Sequence, residues 1–546
     1  MVVARVVGRR FGLTAIGLAM GVGSIVVAQA SCGSGAKDSG GSGSGGNSGS
    51  TAGTSSNGAG SGGSATSGSG ATAGSGSGGS AGSGSSTGSS SGSTGGSGST
   101  SGAPSDASVA QMSWDWNGVV GSGQSLSVGT PPVTGEHAST SQPYDNVMLS
   151  LPEVTANEVE DASLPPPWDA SIPGLRMVPL VEPVRPIGSG FPRPYPVNIW
   201  GETPHAAMSN EITLLAKTGG AADYVTVPTI VGESGQGIVA LVKFQDAGTT
   251  GATGRAYAAT LFEATHIAAL AKAAGKTYGI SVIVMTHGET DATNQDYGDD
   301  LVQLLSDYNT DLSSITGQTQ KIPMYLSQQH AYPCFQGPPI GCSDTAPGGR
   351  PLVNQFQWQL GVMYPGQFVC TGPKYQYPVN PDNDGIHLSA TGYQLLGEKT
   401  AEVYYQRAIL GNNWQPLYPT SASRSGNVVT VDFNVPAPPL NWDMSLDAPL
   451  ITEWVNGNGF ELWSGSTNIG IQSVAISGNS VQITAASTLP TTGLMVGYAL
   501  ADQGAQMKAA SKAVRWGRLR DSDPFMGSTT MMTNPNYAVS FQLPVP

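Results

Sequence analysis

Ile280-Ser-Val-Ile-Val-Met285 is a short apolar run without polar alternation, followed closely by the polar block His287-Gly-Glu-Thr-Asp291. A strand with one wet face alternates polar and apolar residues, whereas a strand covered on both faces reads as a nearly continuous apolar run. Six residues are too few for a core helix. The run therefore predicts an interior strand of a parallel sheet, and its neighbours agree. Gly254 to Ala274 carries alanines and leucines at helical spacing, and Tyr297 to Ile315 repeats that spacing behind an Asp-rich first turn.

The same alternation extends in both directions. Val119-Val120 begins the series as a short strand ending at a glycine turn, and Tyr224 to Val231 is a second strand, weakened by Pro228. Ile322 to Leu326 and Gln367 to Cys370 follow as strands, with a helix over Gln355 to Met363 between them. Ser389 to Ile409 closes the series as a helix with Ser389 as its N-cap. Residues 130–223 are proline-rich and weakly periodic, which predicts irregular structure. Strands alternating with helices predict an α/β fold, a flavodoxin-like doubly wound parallel sheet. Ligands in such sheets sit beyond the C-terminal strand ends.

Those ends carry four polar, glycine-containing blocks. They are Gly123-Gln-Ser125, Gly232-Glu-Ser-Gly-Gln-Gly237, His287-Gly-Glu-Thr-Asp291 and Asp384-Gly-Ile-His387. A serine esterase needs a base within reach of its hydroxyl and an acid that fixes the tautomer of that base. An Asp and a His three residues apart on one loop can supply both.

GQS after the first strand and DGIHL before the last helix resemble the SGNH, or GDSL-type, hydrolases. The GQS form with a later HGE is similar to the branch containing sialate O-acetylesterases and related carbohydrate acetylesterases. The likeness spans about residues 115–410 and rests on three short blocks. It implies that Ser125 is the nucleophile, His387 the general base and Asp384 the group that orients His387. It implies an oxyanion site at the amides of Ser125 and Gly235, with a side-chain donor where His287 stands. That donor is usually Asn or Gln, and an imidazole N–H can replace it. No metal or organic cofactor is required. The implied substrate is an acylated carbohydrate or related ester, with acetyl the favoured acyl group.

Competing assignments exist for several of these residues. Ser122 and Ser127 read as spacer or cap serines. Ser234, in GESGQ, resembles the nucleophile elbow of α/β-hydrolases but lacks its final glycine. His287 has a second reading as a structural histidine at a strand end. Glu289 and Asp291 read as structural hydrogen-bonders. His330 follows the fourth strand, where it either borders the site or lies on the surface.

The rest of the chain gives context. Residues 1–32 have the form of an export signal: Arg5, Arg9 and Arg10, an apolar run from Leu13 to Ala28, then Ala28-Gln-Ala30. Ala30-Ser31-Cys32 resembles the end of a bacterial lipoprotein box, with Gln29 where an aliphatic residue is usual. Lipidation of Cys32, which would anchor the chain to a membrane, and simple cleavage after Ala30 both remain open. Either outcome implies an exported protein. Residues 33–107 are almost wholly Gly, Ser, Thr and Ala and lack apolar surface to offset ordering. As a coil they would span about 50 Å and act as a tether. Among the remaining cysteines, Cys334 and Cys342 flank a Pro/Gly loop and can close a small disulfide, leaving Cys370 alone; a bridge from Cys370 to either of them is the alternative.

The catalytic part is expected over 108–412. From 413 to 546 short alternating strands predict an all-β, sandwich-like domain, with Ser477-Gly-Asn479 as a turn. Its tryptophans, Trp442, Trp454, Trp463 and Trp516, read as core with a sugar platform as the alternative. The net charge of −14, without a basic cluster after the first dozen residues, argues against nucleic acid as a partner. The reading that competes with an esterase is a tethered carbohydrate-binding or surface-adhesion protein with a degenerate hydrolase core.

Overall fold

The computed structural model describes residues 114–129, 139–150, 174–184, 201–221, 223–243, 254–292, 294–333, 353–380, 386–446, 456–465, 467–500 and 512–546. The export signal, Cys32, the Gly/Ser segment, Cys334, Cys342, Asp384 and Trp454 lie outside them.

The central sheet has five parallel strands: β1 (Trp116–Gly123), β2 (Thr226–Ile230), β3 (Tyr278–Thr286), β4 (Met324–Ser327) and β5 (Phe368–Gly372). Their spatial order is β2-β1-β3-β4-β5, the flavodoxin-like doubly wound order. Pro228 is tolerated because β2 is an edge strand, where a missing N–H leaves no ladder bond unmade on the outer side.

Period-two alternation explains why the strands look apolar throughout. Val120, Ile283, Met285, Met324, Leu326 and Phe368 face a core shared with α3 (Arg255–Ala273), α4 (Tyr297–Thr316) and α5 (Val353–Met363). Their neighbours Val119, Val282, Val284, Tyr325 and Val369 face a second core, shared with α2 (Pro204–Thr218) and α6 (Ala390–Tyr404). Both pleat faces are dry, and the one polar residue of the Ile280–Met285 run, Ser281, is buried with its hydroxyl donating to the Gly118 carbonyl at 2.8 Å.

Helix α2 corrects the expectation of irregular structure over 130–223. It starts at Thr203, whose hydroxyl accepts the His205 amide proton, with Pro204 in the first turn. A Thr-Pro pair is a helix-start signal, but the surrounding prolines mask it. Residues 147–150 and 176–179 form a short antiparallel pair in the same region.

The C-terminal region forms two four-stranded antiparallel sheets. One orders Ile471–Ser477, Ser480–Ala485, Val428–Asn434 and Tyr418–Ser425; the other orders Thr467–Ile469, Phe460–Ser464, Leu494–Tyr498 and Phe541–Val545. Ser477 pairs with Ser480 across the turn, with Gly478 at φ 61°. The core between these sheets includes Val431, Phe460, Val481 and Phe541, and it runs on into Trp358, Cys370 and Tyr375 of the α/β part. Polar contacts cross the same boundary. The Gln328 amide nitrogen donates to the Ser540 carbonyl at 3.0 Å, and the Tyr375 hydroxyl donates to the Ala538 carbonyl at 2.7 Å. Trp463 and Trp516 are buried, and Trp442 is partly so. Cys370 is a free, buried cysteine whose thiol is pushed up to about 12 by burial.

Candidate active site

Strand β1 ends on Gly123, and the chain turns at Gln124 into one helical turn, α1 (Ser125–Val128). The turn is stitched between its neighbours. The Gln124 amide donates to the Thr286 carbonyl at the end of β3, and the Glu233 amide, just past β2, donates to the Gly123 carbonyl at 2.9 Å. No side chain fits at this crossing. Gly123 sits at φ 141°, and a Cβ there would lie 2.1 Å from the Thr286 carbonyl oxygen. Sheet and turn together leave Ser125 at the C-terminal end of the central strands.

The segment before α6 brings His387 to the same place. The Asn380 amide donates to the His387 carbonyl, the Ser389 amide donates to the Pro378 carbonyl, and Ser389 caps α6 by accepting the Gly392 amide proton. Leu126 packs in one apolar cluster with Ile386, Leu388 and Tyr393, so the serine turn and the histidine segment share a dry contact. The result is a 2.7 Å hydrogen bond between Ser125 Oγ and His387 Nε2, with Ser125 6% and His387 9% exposed. Both groups are largely shielded from bulk water yet open enough to meet a small group.

The third polar block braces the second. His287 Nε2 lies 3.0 Å from the Gln236 carbonyl, the Thr290 hydroxyl donates to the Gly235 carbonyl at 3.2 Å, and the Ile238 amide donates to Asp291 Oδ2 at 2.5 Å. Gly235 itself is exposed at φ 71°, in a turn that a side chain would disfavour.

This geometry gives His287 a task other than the expected one. Its ring is fully buried, and burial pushes its pKa down despite the nearby Asp291. A carbonyl can only accept, so the proton belongs on Nε2, and Nδ1 then accepts from the Tyr297 hydroxyl at 3.1 Å. The neutral ring has no N–H left to aim at an acyl oxygen. His287 instead braces the loop that carries Gly235 on one side and the Tyr297 hydroxyl on the other.

Beneath Ser125 lies a buried ionic cluster. Glu289 accepts from the Gln124 side chain at 3.0 Å and pairs with Lys374 at 3.0 Å. Burial alone would raise the Glu289 carboxyl, but Lys374 and His330 outweigh it and hold it well below the usual carboxylate range. His330 is buried in this cluster, not on the surface.

Comparison with solved structures gives matches of low sequence identity. This chain is similar to carbohydrate acetylesterases of known structure. One, from Xanthomonas citri, matches at a TM-score of 0.45 and 12% identity, over 78% of this chain and 80% of that one. Another, from Sinorhizobium meliloti, matches at a TM-score of 0.25 and 14% identity, over 53% and 97%. A protein from Arabidopsis thaliana matches at a TM-score of 0.32 and 16% identity, over 54% and 99%. No family model matches the sequence, and no curated protein matches it either.

Sequence reasoning missed the polar groups behind α1. His205, on α2, is fully buried with Nε2 3.4 Å from Ser127 Oγ, and burial pushes its pKa down to about 4. Ser127 thus faces a histidine too, but through a longer contact with a ring shut away from solvent. Glu182 and Glu202 are both buried nearby in the chain leading to α2. Glu182 accepts from the Thr203 hydroxyl and amide and from the Val184 amide. Burial, reinforced by Glu202, pushes Glu182 up to about 8. The Thr203-Pro204 pair was the legible pointer to this layer.

Proposed function

We propose that the protein is an exported serine esterase that removes acyl groups, most often acetyl, from a carbohydrate or a related polyol ester. The single observation that carries this reading is the 2.7 Å contact between Ser125 Oγ and His387 Nε2 at the C-terminal end of the parallel sheet. A serine hydroxyl is a weak nucleophile until a base takes its proton as it attacks.

In this reading His387 Nε2 removes the Ser125 proton while Oγ attacks the acyl carbon. The imidazolium then gives that proton to the leaving sugar oxygen, which departs as an alcohol. Water, activated by the same ring, cleaves the acyl-serine and releases the carboxylic acid. Asp384 would orient His387 through Nδ1. Backbone amides of Ser125 and Gly235 would hold the oxyanion, in the loop that His287, Thr290 and Asp291 brace. The carbohydrate part of the proposal rests on the GQS, HGE and DGIHL likeness.

The test is acetate release from an O-acetylated oligosaccharide, alongside p-nitrophenyl acetate turnover and fluorophosphonate labelling. Turnover with labelling at Ser125 supports the esterase. Binding of the oligosaccharide without turnover or labelling would favour the tethered carbohydrate-binding protein instead. Export and anchoring are part of the same proposal. Mass spectrometry of the mature N-terminus separates a diacylglyceryl-Cys32 from a free Ser31 amine.

A further inference from the structure

Among the described residues, the buried side chain of His330 touches both the ionic cluster beside the serine turn and the backbone of the histidine segment. Its Nε2 lies 2.8 Å from the carbonyl of Ile386, the residue immediately before His387. Its Nδ1 lies 3.3 Å from Glu289 Oε1, and its own amide donates to the same oxygen at 3.3 Å. Glu289 in turn accepts from Gln124, the residue immediately before Ser125. The two catalytic candidates are therefore tied, each through its preceding residue, to one carboxylate and one imidazole.

We infer that His330 is a positioning residue for the Ser125–His387 pair, its Nε2–H fixing the Ile386 carbonyl and thereby the backbone from which His387 projects. This rests on the esterase reading for its catalytic meaning. Both ring partners only accept, the Ile386 carbonyl at 2.8 Å and the Glu289 carboxylate at 3.3 Å; the shorter contact places a proton on Nε2, and Nδ1 donates to Glu289 when the ring is protonated on both nitrogens. Burial pushes the His330 pKa down, against the pull of Glu289, which favours the doubly protonated ring; the Nε2–H on the Ile386 carbonyl is present in either state.

The mount for His330 is rigid on its other side as well, and there the C-terminal strands supply it. The Arg515 amide donates to the His330 carbonyl at 2.9 Å, and the Arg515 guanidinium donates to the side-chain oxygen of Gln329 from Nε at 3.0 Å and from a terminal nitrogen at 2.9 Å. Gln328, one residue earlier, is held by Ser540. The segment Gln328-Gln329-His330 is thus clamped between the β-sandwich and the site. On this view the C-terminal region contributes to catalysis by holding that segment, with no contact to substrate required. A misplacement of about 1 Å in a reacting group can cost on the order of 10²-fold in rate.

The experiment uses the full chain with His330→Leu and His330→Gln. Leucine removes the N–H, whereas the glutamine amide can reach the Ile386 carbonyl. Circular dichroism and a urea melt establish folding, and His330→Met replaces the leucine variant if that variant fails to fold. The expected result is a fall of about 10²-fold in kcat for His330→Leu with KM within a few-fold, and recovery to within about tenfold of wild type in His330→Gln. The carbon-bound ring proton signal of His387, assigned through His387→Asn, should shift in His330→Leu, while that of His266 on α3 stays in place. A folded His330→Leu with wild-type kcat and an unmoved His387 signal overturns the inference. Should the wild type neither turn over esters nor label at Ser125, the esterase reading fails instead, and the His387 signal alone still decides whether His330 positions that ring.

Discussion

Ser125 Oγ and His387 Nε2 are 2.7 Å apart although 262 residues separate them in the chain. Ser127, two residues on, meets its own histidine at 3.4 Å, but His205 is fully buried behind α1 and held neutral, with a pKa pushed down to about 4. Two serines on one helical turn thus face two histidines, and only one pair borders the open side of the site. Ser125→Ala should remove nearly all ester hydrolysis and leave the urea midpoint close to wild type. Fluorophosphonate should label Ser125. Label found at Ser234, and none at Ser125, would overturn the assignment.

His287 should matter through the loop it braces. In His287→Gln the amide can still donate to the Gln236 carbonyl, so at least about a tenth of kcat should remain. In His287→Ala the Gln236 carbonyl and the Tyr297 hydroxyl both lose a buried partner. The Gly235 amide then drifts from its place, and kcat should fall by about 10²-fold, as for loss of an oxyanion donor. Steady-state kinetics check both. Equal, near-wild-type activity in the two variants would show that the loop needs no such brace.

The Glu182–Glu202 neighbourhood predicts a loss of stability at alkaline pH. Burial and Glu202 push Glu182 up to about 8, so the folded protein holds a proton that the unfolded chain releases near its ordinary value of 4.5. The folded state binds more protons in that window, so stability is greatest below it and falls as pH rises through about 8. His205 gives the opposite slope below about pH 6.5, because its folded pKa is depressed, and drops out above it. The urea midpoint should therefore fall between about pH 7 and about pH 8, where Glu402, also pushed up to about 8 by burial, adds the same slope. Glu202→Gln, which removes the neighbouring charge, should flatten that fall. An identical slope in the variant would mean that Glu202 does not set the Glu182 proton.

Gly123→Ala should be disruptive out of proportion to one methyl group. The new Cβ would meet the Thr286 carbonyl at 2.1 Å, and φ is 141°. Overpacking and strain together should cost on the order of 1–3 kcal/mol. Gly220→Ala is the comparison: φ there is 102°, with no atom within 4 Å of the added Cβ, so only the backbone preference is lost. Urea denaturation should show the first variant clearly less stable than the second, with the first also inactive. Similar midpoints would mean that the β1–β3 crossing can relax.

The parallel sheet and the blocks at its strand ends were legible in the sequence because both are local. Apart from Ser281, Ile280 to Met285 reads as apolar since alternate side chains enter two dry cores, and that pattern is written in six consecutive residues. Ser389 as a cap and Gly478 as a turn are local in the same sense. Pro228 weakened the reading of its strand, and only the sheet order, with β2 at the edge, removes the conflict. Hydrogen-bond partners are not local. His287 meets the Gln236 carbonyl across 51 residues, and His330 meets the Ile386 carbonyl across 56. The sequence names an imidazole and a glycine loop, but which nitrogen finds which carbonyl depends on how separate strand ends converge. Residue type limits the chemistry a side chain can do. The distance to a partner set by the tertiary fold decides whether it braces a loop, holds a backbone or takes a proton.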